Sequence, residues 1–189
     1  RGEILNLFGS STGSETGIDM SGVKVRSITG TTGCKPFAFF CGSGKITIDC
    51  STNSNVSGSG DNLFQQMFPK VAWGYKYVVV PTQPLSNNIG HVRVLVDDAA
   101  TVVKRNGVAL TGIINNTYYE YLNSAASVDV IEADKPVMVA QYMTTKGQCG
   151  NPSASVGDPE MIYLSSVQQT IDTVSLVSSP LGNSSNRSH

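Results

Sequence analysis

The sequence has few charged residues and no long apolar run, and both shortages exclude classes of partner. Asp, Glu, Lys and Arg make up only 14% of the 189 residues, with a formal net charge of −1. Such a surface offers no basic stripe to neutralise nucleic-acid phosphates. Apolar runs such as residues 78–80 and 137–140 fall far short of the roughly 20 residues that a membrane-spanning helix needs. We expect no nucleic-acid partner and no membrane insertion.

Groups that perform catalysis are also scarce. There are two histidines, His91 and the terminal His189, and neither lies in a motif that supplies a zinc ligand or a general base. No Gly-x-Ser-x-Gly or Cys-x-x-Cys motif occurs. The sequence therefore predicts a protein that is not an enzyme and that has no cofactor, with calcium as the one exception considered below.

Cysteines are few, but their number is even and the chain around them is rich in Gly, Ser and Asn. This combination favours two disulfides formed in an oxidising compartment, with three pairings open. The spacings lack the close pairs of a zinc ribbon, so a metal site is the weaker reading. The four disulfide candidates are Cys34, Cys41, Cys50 and Cys149. They predict a secreted or cell-surface protein.

Three aspartates are candidates for a calcium site, because carboxylate oxygens are the ligands that calcium prefers. They are Asp97, Asp98 and Asp158. Their surroundings reproduce neither an EF-hand loop nor a nonapeptide calcium repeat. The alternative is that they are ordinary carboxylates at turns and strand ends.

Trp73, Tyr75 and Tyr77 form a dense aromatic group. If these side chains are exposed, they form a surface for stacking on sugars or for binding protein. They are equally candidates for the core, because tryptophan is mostly buried and Tyr75 and Tyr77 fall on the same side of a strand. Both interpretations stay open at the level of sequence.

The chain repeats a pattern with a period of nearly 100 residues. Equivalent markers follow one another in the same order: Pro36 and Pro136, Cys50 and Cys149, Asp61 and Asp158. The repeat predicts that residues 1–60 are the C-terminal part of one unit and that residues 61–157 form a complete unit. Residues 158–180 begin a further unit, and residues 181–189 are a linker or tag stub. Neighbouring units of the same parent chain are therefore expected partners.

Period-two alternation of Val, Ile, Tyr and Thr predicts strands throughout, and helical periodicity is almost absent. The predicted strands cover residues 75–80, 91–96, 101–105, 108–111, 118–122, 127–131 and 137–142. Asn106-Gly107 predicts a tight hairpin turn, because both positions need positive φ. Pro136 marks a strand entry, and the apolar spacing in residues 63–68 allows one short helix.

These elements predict an all-β fold of antiparallel β-sandwich-like units of about 100 residues. Two four-stranded β-propeller blades per unit are the alternative. We favour the sandwich, because no repeat of half the length is visible.

Residues 61–77, which read DNLFQQMFPKVAWGYKY, carry a family resemblance. The Asp-x-Leu-x-Gln-Gln stretch that leads through Pro to Trp-Gly resembles the N-terminal domain of the IgG-Fc-binding protein family. Residues 94–103, 131–142 and 157–161 extend the similarity, which covers roughly residues 3–180. The resemblance implies a secreted or surface-exposed, non-enzymatic module, and the Ser/Thr/Asn-rich composition is closer to bacterial surface members. It does not imply that this chain binds immunoglobulin.

Three hypotheses follow. The first is an extracellular binding or adhesion module of a larger protein, contacting a glycan or a protein. The alternative is a structural repeat of a surface stalk or fibre. The third is a calcium-dependent hydrolase, which requires convergent carboxylates in a pocket.

Overall fold

A computed structural model describes most of the chain. The described residues are 3–9, 17–28, 35–48, 60–82, 89–124, 127–145, 158–173 and 175. Cys34, Cys50 and Cys149, which carry part of the disulfide prediction, lie outside them.

The described part of the chain is built from antiparallel strands, and the all-β prediction is confirmed. The strands are β1 (Phe40–Ile46), β2 (Asp61–Gln66), β3 (Gly74–Val79), β4 (Ile89–Val96), β5 (Val103–Arg105), β6 (Val108–Ala109), β7 (Tyr118–Ser124), β8 (Asp129–Met143) and β9 (Glu160–Tyr163). Two single turns of 3-10 helix occur, Lys70–Ala72 and Val167–Gln169. Strands β1 and β2 pair with each other. The other seven form one sheet in the order β6-β5-β8-β4-β7, with β3 and β9 also paired to β8.

Strand β8 is the centre of the large sheet and pairs along both of its edges. Its first half lies between β3 and β5, and its second half lies between β9 and β4. Between Glu132 and Val137 the pairing with β3 shifts, because these six residues of β8 lie opposite the three residues Gly74 to Lys76. Pro136 lies in this bulge, where its missing N–H leaves no gap in the ladder.

The bulge corrects two predictions from the sequence. Residues 127–131 and 137–142 belong to one strand rather than two, and Pro136 lies inside that strand rather than at its entry. The predicted short helix at residues 63–68 is also wrong, because these residues include most of β2. The first helical turn comes just after Pro69 and is of the 3-10 type.

The predicted hairpin turn is confirmed. Asn106 and Gly107 have φ values of 51° and 83°, and they connect β5 to β6. Positive φ at both central positions is the geometry of the tight turn whose twist matches that of its two strands.

The sheet curls so that two hydrophobic clusters form on its two faces. The first cluster contains Tyr77, Val79, Val92, Val94, Val96, Val103, Tyr119, Ile131, Val137 and Val139. The second, beneath β1 and β2, contains Leu63, Met138, Ala140, Met161 and Tyr163, with Cys41 and Trp73 packed against it. The two layers make the fold sandwich-like, and β8 contributes to both clusters.

Two strand pairs of the structure match in register. The first strand pair is β1 with β2, and the second strand pair is the last part of β8 with β9. Phe40 pairs with Gln66 in the first, and Ala140 pairs with Tyr163 in the second. The corresponding residues are 100 and 97 positions apart, which are the offsets of the sequence repeat.

The match continues past the strands. Met67 donates its N–H to the carbonyl of Phe39 at 2.9 Å, and Leu164 donates its N–H to the carbonyl of Val139 at 2.9 Å. Each strand pair is then followed by its 3-10 turn, again 97 residues apart. The two pairs are therefore built alike, while the unit boundaries at residues 61 and 157 stay a prediction.

Candidate functional site

The three predicted aromatic residues occupy different environments. Trp73 follows the first 3-10 turn and packs, half-buried, against the second hydrophobic cluster. Its Nε1 atom is buried and finds no hydrogen-bond acceptor among the described residues. Trp73 therefore packs the first 3-10 turn against the second cluster.

Tyr77 is a core residue, with only 1% of its surface exposed. Its hydroxyl donates to the carbonyl of Val137 at 2.5 Å and accepts the N–H of Gly74 at 2.9 Å. Burial raises the pKa of Tyr77 above its ordinary value, which is itself well above neutral pH, so the hydroxyl is a donor. The sequence left Tyr77 as either a surface binding residue or a core residue, and in the structure it is a core residue.

Tyr75 lies on the surface, 48% exposed. In a regular strand Tyr75 and Tyr77 would lie on the same face, because one residue separates them. The register shift between Gly74 and Lys76 breaks this alternation, so only Tyr77 is buried. Its backbone N–H donates to Oε1 of Gln168 at 3.2 Å. Tyr75 is thus held against the second 3-10 turn through its backbone, and its ring remains accessible.

The two 3-10 turns are tied together near Tyr75. Gln169 donates from Nε2 to the carbonyl of Ala72 at 2.7 Å. Gly74 permits the close approach, because a Cβ at this position would lie 2.2 Å from Cβ of Ser166. Glutamine side chains and a missing Cβ therefore fix the turns relative to each other.

Apolar side chains on these turns and their flanks are exposed, and we call them the turn patch. It consists of Val71, Tyr75, Val167 and Ile171, of which Val71 is the most exposed at 94%. Charged pairs lie beside it in sequence: Lys70 with Asp97, and Lys76 with Glu132 at 2.9 Å. Exposed apolar side chains with polar groups beside them are typical of a protein-binding surface.

Asp97 and Asp98 lie together in a turn, but their carboxylates are paired with lysines. Asp97 contacts Lys24 at 2.7 Å and also Lys70, while Asp98 contacts Lys135. The hydrogen bond from Lys24 and then that from Lys70 lower the pKa of Asp97, and the bond from Lys135 lowers that of Asp98. These ammonium groups already neutralise the charge that a calcium ion would need.

Asp158, the third predicted calcium ligand, is an exposed residue just before β9. Within the described ranges, no group of three or more His, Cys, Asp or Glu side chains could hold a metal ion. The structure therefore does not bring the three predicted ligands together.

Cys41, one of the four disulfide candidates, is a free thiol in the described part of the chain, and its three possible partners lie outside that part. It lies on β1 and points into the second cluster, where Sγ is 3.1 Å from Sδ of Met67 and 2.5 Å from the hydroxyl of Tyr163. Burial raises the pKa of the Cys41 thiol, despite the hydrogen bond with Tyr163. The side chain is used in packing the first strand pair onto the second.

A polar cluster around Arg93 was not predicted from the sequence. Arg93 bonds to Glu120 at 2.5 Å and to Asp19 at 3.0 Å, and its guanidinium lies 4.7 Å from the ring centre of Tyr118. Burial opposes its charge, but the bonds and charges of Glu120 and Asp19 outweigh this and raise the pKa of Arg93. Arg93 is thus paired with both carboxylates, and its contact with Asp19 holds the residues near Asp19 against the sheet.

The remaining members of the turn patch, Val71, Val167 and Ile171, were also missed. Isolated apolar residues in turns carry no periodic signal that separates exposed from buried positions. The repeat offset of 97 residues, which relates the two 3-10 turns, is the one sequence signal that could have drawn attention to them.

The fold and the patch together describe an all-β, sandwich-like module with an exposed apolar surface on fixed turns. Residues 1–187 match the model of a family described as IgGFc binding protein, and the chain belongs to that family. No curated protein matches the chain, and no solved structure matches it either. No helix in the described part of the chain is long and apolar enough to cross a membrane.

Proposed function

We propose that this chain is an extracellular, non-catalytic binding module with a protein partner, and that the turn patch is the contact surface. Family membership supports a binding role, because the family is described by what it binds. The observation that carries the proposal is the exposure of Val71 on the first 3-10 turn and of Tyr75 at the start of β3, where hydrogen bonds hold the backbone.

Fixed turns suit this role for an energetic reason. Association costs free energy for each loop and side chain that becomes ordered, so a surface that is ordered beforehand keeps more of its contact energy. The bonds from Tyr75 to Gln168 and from Gln169 to Ala72 order the turns before any partner arrives. Tyrosine adds a large, rigid contact surface of the type common in binding hot spots.

The Fc region of immunoglobulin G is the first partner to test, since it is named in the description of the family. A glycan is the competing ligand. A glycan site is usually made from an exposed aromatic ring together with polar groups. The turn patch has one such ring and three aliphatic side chains, which favours a protein.

Surface plasmon resonance on immobilised Fc fragment, with a glycan array in parallel, tests the proposal. We expect binding to Fc, and a loss of affinity of about tenfold or more in Tyr75→Ala and in Val71→Asp. Val108→Asp is the matched control, because Val108 is an exposed valine in the β5–β6 hairpin. Binding to glycans with none to Fc, or equal losses in all three variants, would contradict the proposal.

A structural repeat of a surface stalk or fibre is the second candidate function. The matched registers of the two strand pairs favour it, because repeat proteins stack units that are built alike. Under this alternative the turn patch would bind no ligand, and the chain's own surfaces would hold one molecule to the next.

A further inference from the structure

Corresponding faces of the two strand pairs have different surroundings. In an antiparallel pair, directly paired residues lie on the same face and alternate residues share it. One face of the second strand pair therefore carries Ala140, Tyr142, Met161 and Tyr163. By the repeat offsets, the corresponding face of the first strand pair carries Phe40, Gly42, Phe64 and Gln66. We call these the A faces.

The A face of the second strand pair is covered inside the molecule. Ala140 is completely buried and Met161 is 5% exposed, both in the cluster that contains Leu63. Leu63 and Cys41 lie on the opposite side of the first strand pair, which we call its B face. An A face packed on a B face is thus the contact by which this protein joins its two strand pairs.

The A face of the first strand pair has no such cover within the described structure. Phe64 is 69% exposed and Phe40 is 46% exposed. Their rings stack at a centroid distance of 5.2 Å with 4° between the planes. Two exposed phenylalanines side by side are a costly surface to leave in water, since each buries a large apolar area when covered.

A B face is also available, on the second strand pair. By the repeat offsets, Glu160 and Ile162 take the positions of Leu63 and Gln65. Ile162 is 40% exposed and Glu160 is exposed. The molecule therefore presents an A face at one strand pair and part of a B face at the other.

We infer that a second copy of this chain packs head to tail on the first, with its Ile162 face on the Phe40–Phe64 face. The contact repeats between molecules the A-on-B packing that joins the two strand pairs within one molecule. Because the two surfaces differ, each added copy leaves one of each free, and the assembly does not close at a dimer. The inference concerns a different surface from the turn patch. It names the contact by which molecules would join if the protein is a structural repeat of a stalk or fibre.

The contact is expected to be weak. The A face is only two strands wide, and the exposed part of the B face lies mainly on β9, because Gln141, which pairs with Ile162, is only 4% exposed. We therefore expect the contact to bury less than the roughly 1,200 Å² of total area found in stable interfaces. Association should therefore be visible only at high protein concentration, up to about 1 mM.

Sedimentation velocity over a concentration series tests the inference. For the wild type, the average mass should rise with concentration and continue past that of a dimer. Phe64→Asp and Ile162→Asp should each remain monomeric. An equimolar mixture of the two should form dimers and nothing larger, because each variant keeps the face that the other lacks.

Three outcomes would overturn the inference. They are a wild type that stays monomeric, an assembly that stops at the dimer and survives Ile162→Asp, and a mixture of the two variants that does not associate. Val108→Asp should behave like the wild type. Circular dichroism confirms folding of each variant, and Phe64→Ser and Ile162→Ser replace any aspartate variant that loses the native spectrum. Tyr75→Ala should assemble normally, so this result stands apart from any failure of Fc binding.

Discussion

At the scale of single residues, Asp129 is the most deeply buried charged residue in the described structure. Its side chain is only 1% exposed and lies 3.0 Å from Arg105. Asn123 and Asn106 donate to it at 2.6 Å and 2.8 Å. Burial alone would raise the pKa of Asp129, but the hydrogen bonds from Arg105, Asn123 and Asn106 outweigh burial and lower it. Asn106 thus forms the hairpin turn and also fastens it to β8.

We predict that Asp129→Asn lowers the free energy of unfolding at pH 7 by about 3 kcal/mol, because Arg105 loses its ionic partner. The stabilisation of a carboxylate with a lowered pKa is complete above its ordinary value, here 3.8, and is lost as pH falls below it. Urea unfolding at several pH values should therefore show a shallower acid dependence in the variant.

Asp98→Asn is the control for this prediction. Asp98 is also paired with a lysine, but it is exposed, so solvent screens the pair and little stability should change. An acid dependence of Asp129→Asn equal to that of the wild type would show that Asp129 is not the group that titrates.

At the scale of elements, the second 3-10 turn is held against the start of β3 through Gly74. We predict that Gly74→Ala destabilises the protein by about 2 kcal/mol, because the new Cβ would overlap Ser166. Gly44→Ala is the matched control in β1, where a Cβ would meet nothing within 4 Å. Urea midpoints measure both variants, and similar losses would mean that the turn yields to accommodate the methyl group.

Most strands of the large sheet could be predicted from the sequence, because period-two alternation of Val and Tyr marks half-buried strands. Strand β1, in the two-stranded sheet, was not among the strands predicted from alternation, since Gly42 and Gly44 interrupt its pattern. The continuity of β8 through Pro136 could not be seen, because a proline normally begins or ends a strand and only the opposing strand reveals a bulge.

The same limit applies to the candidate site. Alternation placed Tyr75 and Tyr77 on one side, and the register shift opposite Pro136 separates them. The sequence named the three aromatic residues as candidates, while the choice of the accessible ring required the strand pairing. Which apolar turn residues are exposed depends on the packing of two segments almost 100 residues apart, which local patterns do not record.

At the scale of the whole molecule, two hydrophobic clusters share one strand. We predict that Leu63→Ala loosens the first strand pair by about 2 kcal/mol and so speeds the alkylation of Cys41 by about 30-fold. The reason is that the Cys41 thiol contacts Tyr163 between the two strand pairs, so we expect separation of the pairs to expose it further. Mass spectrometry of the peptide that contains Cys41 measures the rate.

Leu122→Ala is the control here, because Leu122 is 41% exposed on β7 and lies outside both clusters. It should leave the rate of Cys41 alkylation unchanged. A Cys41 that is found disulfide-bonded, or that reacts equally fast in all three proteins, would contradict this account of the core.

The sharing of β8 also limits how the chain can change its length. Val137 and Val139 face one cluster while Met138 and Ala140 face the other. One inserted or deleted residue in this stretch would exchange the two sets and place each side chain in a cavity shaped for its neighbour. Insertions and deletions should therefore be tolerated in β8 only at the bulge, between Glu132 and Val137, where an added residue lengthens an irregularity and leaves both clusters in register.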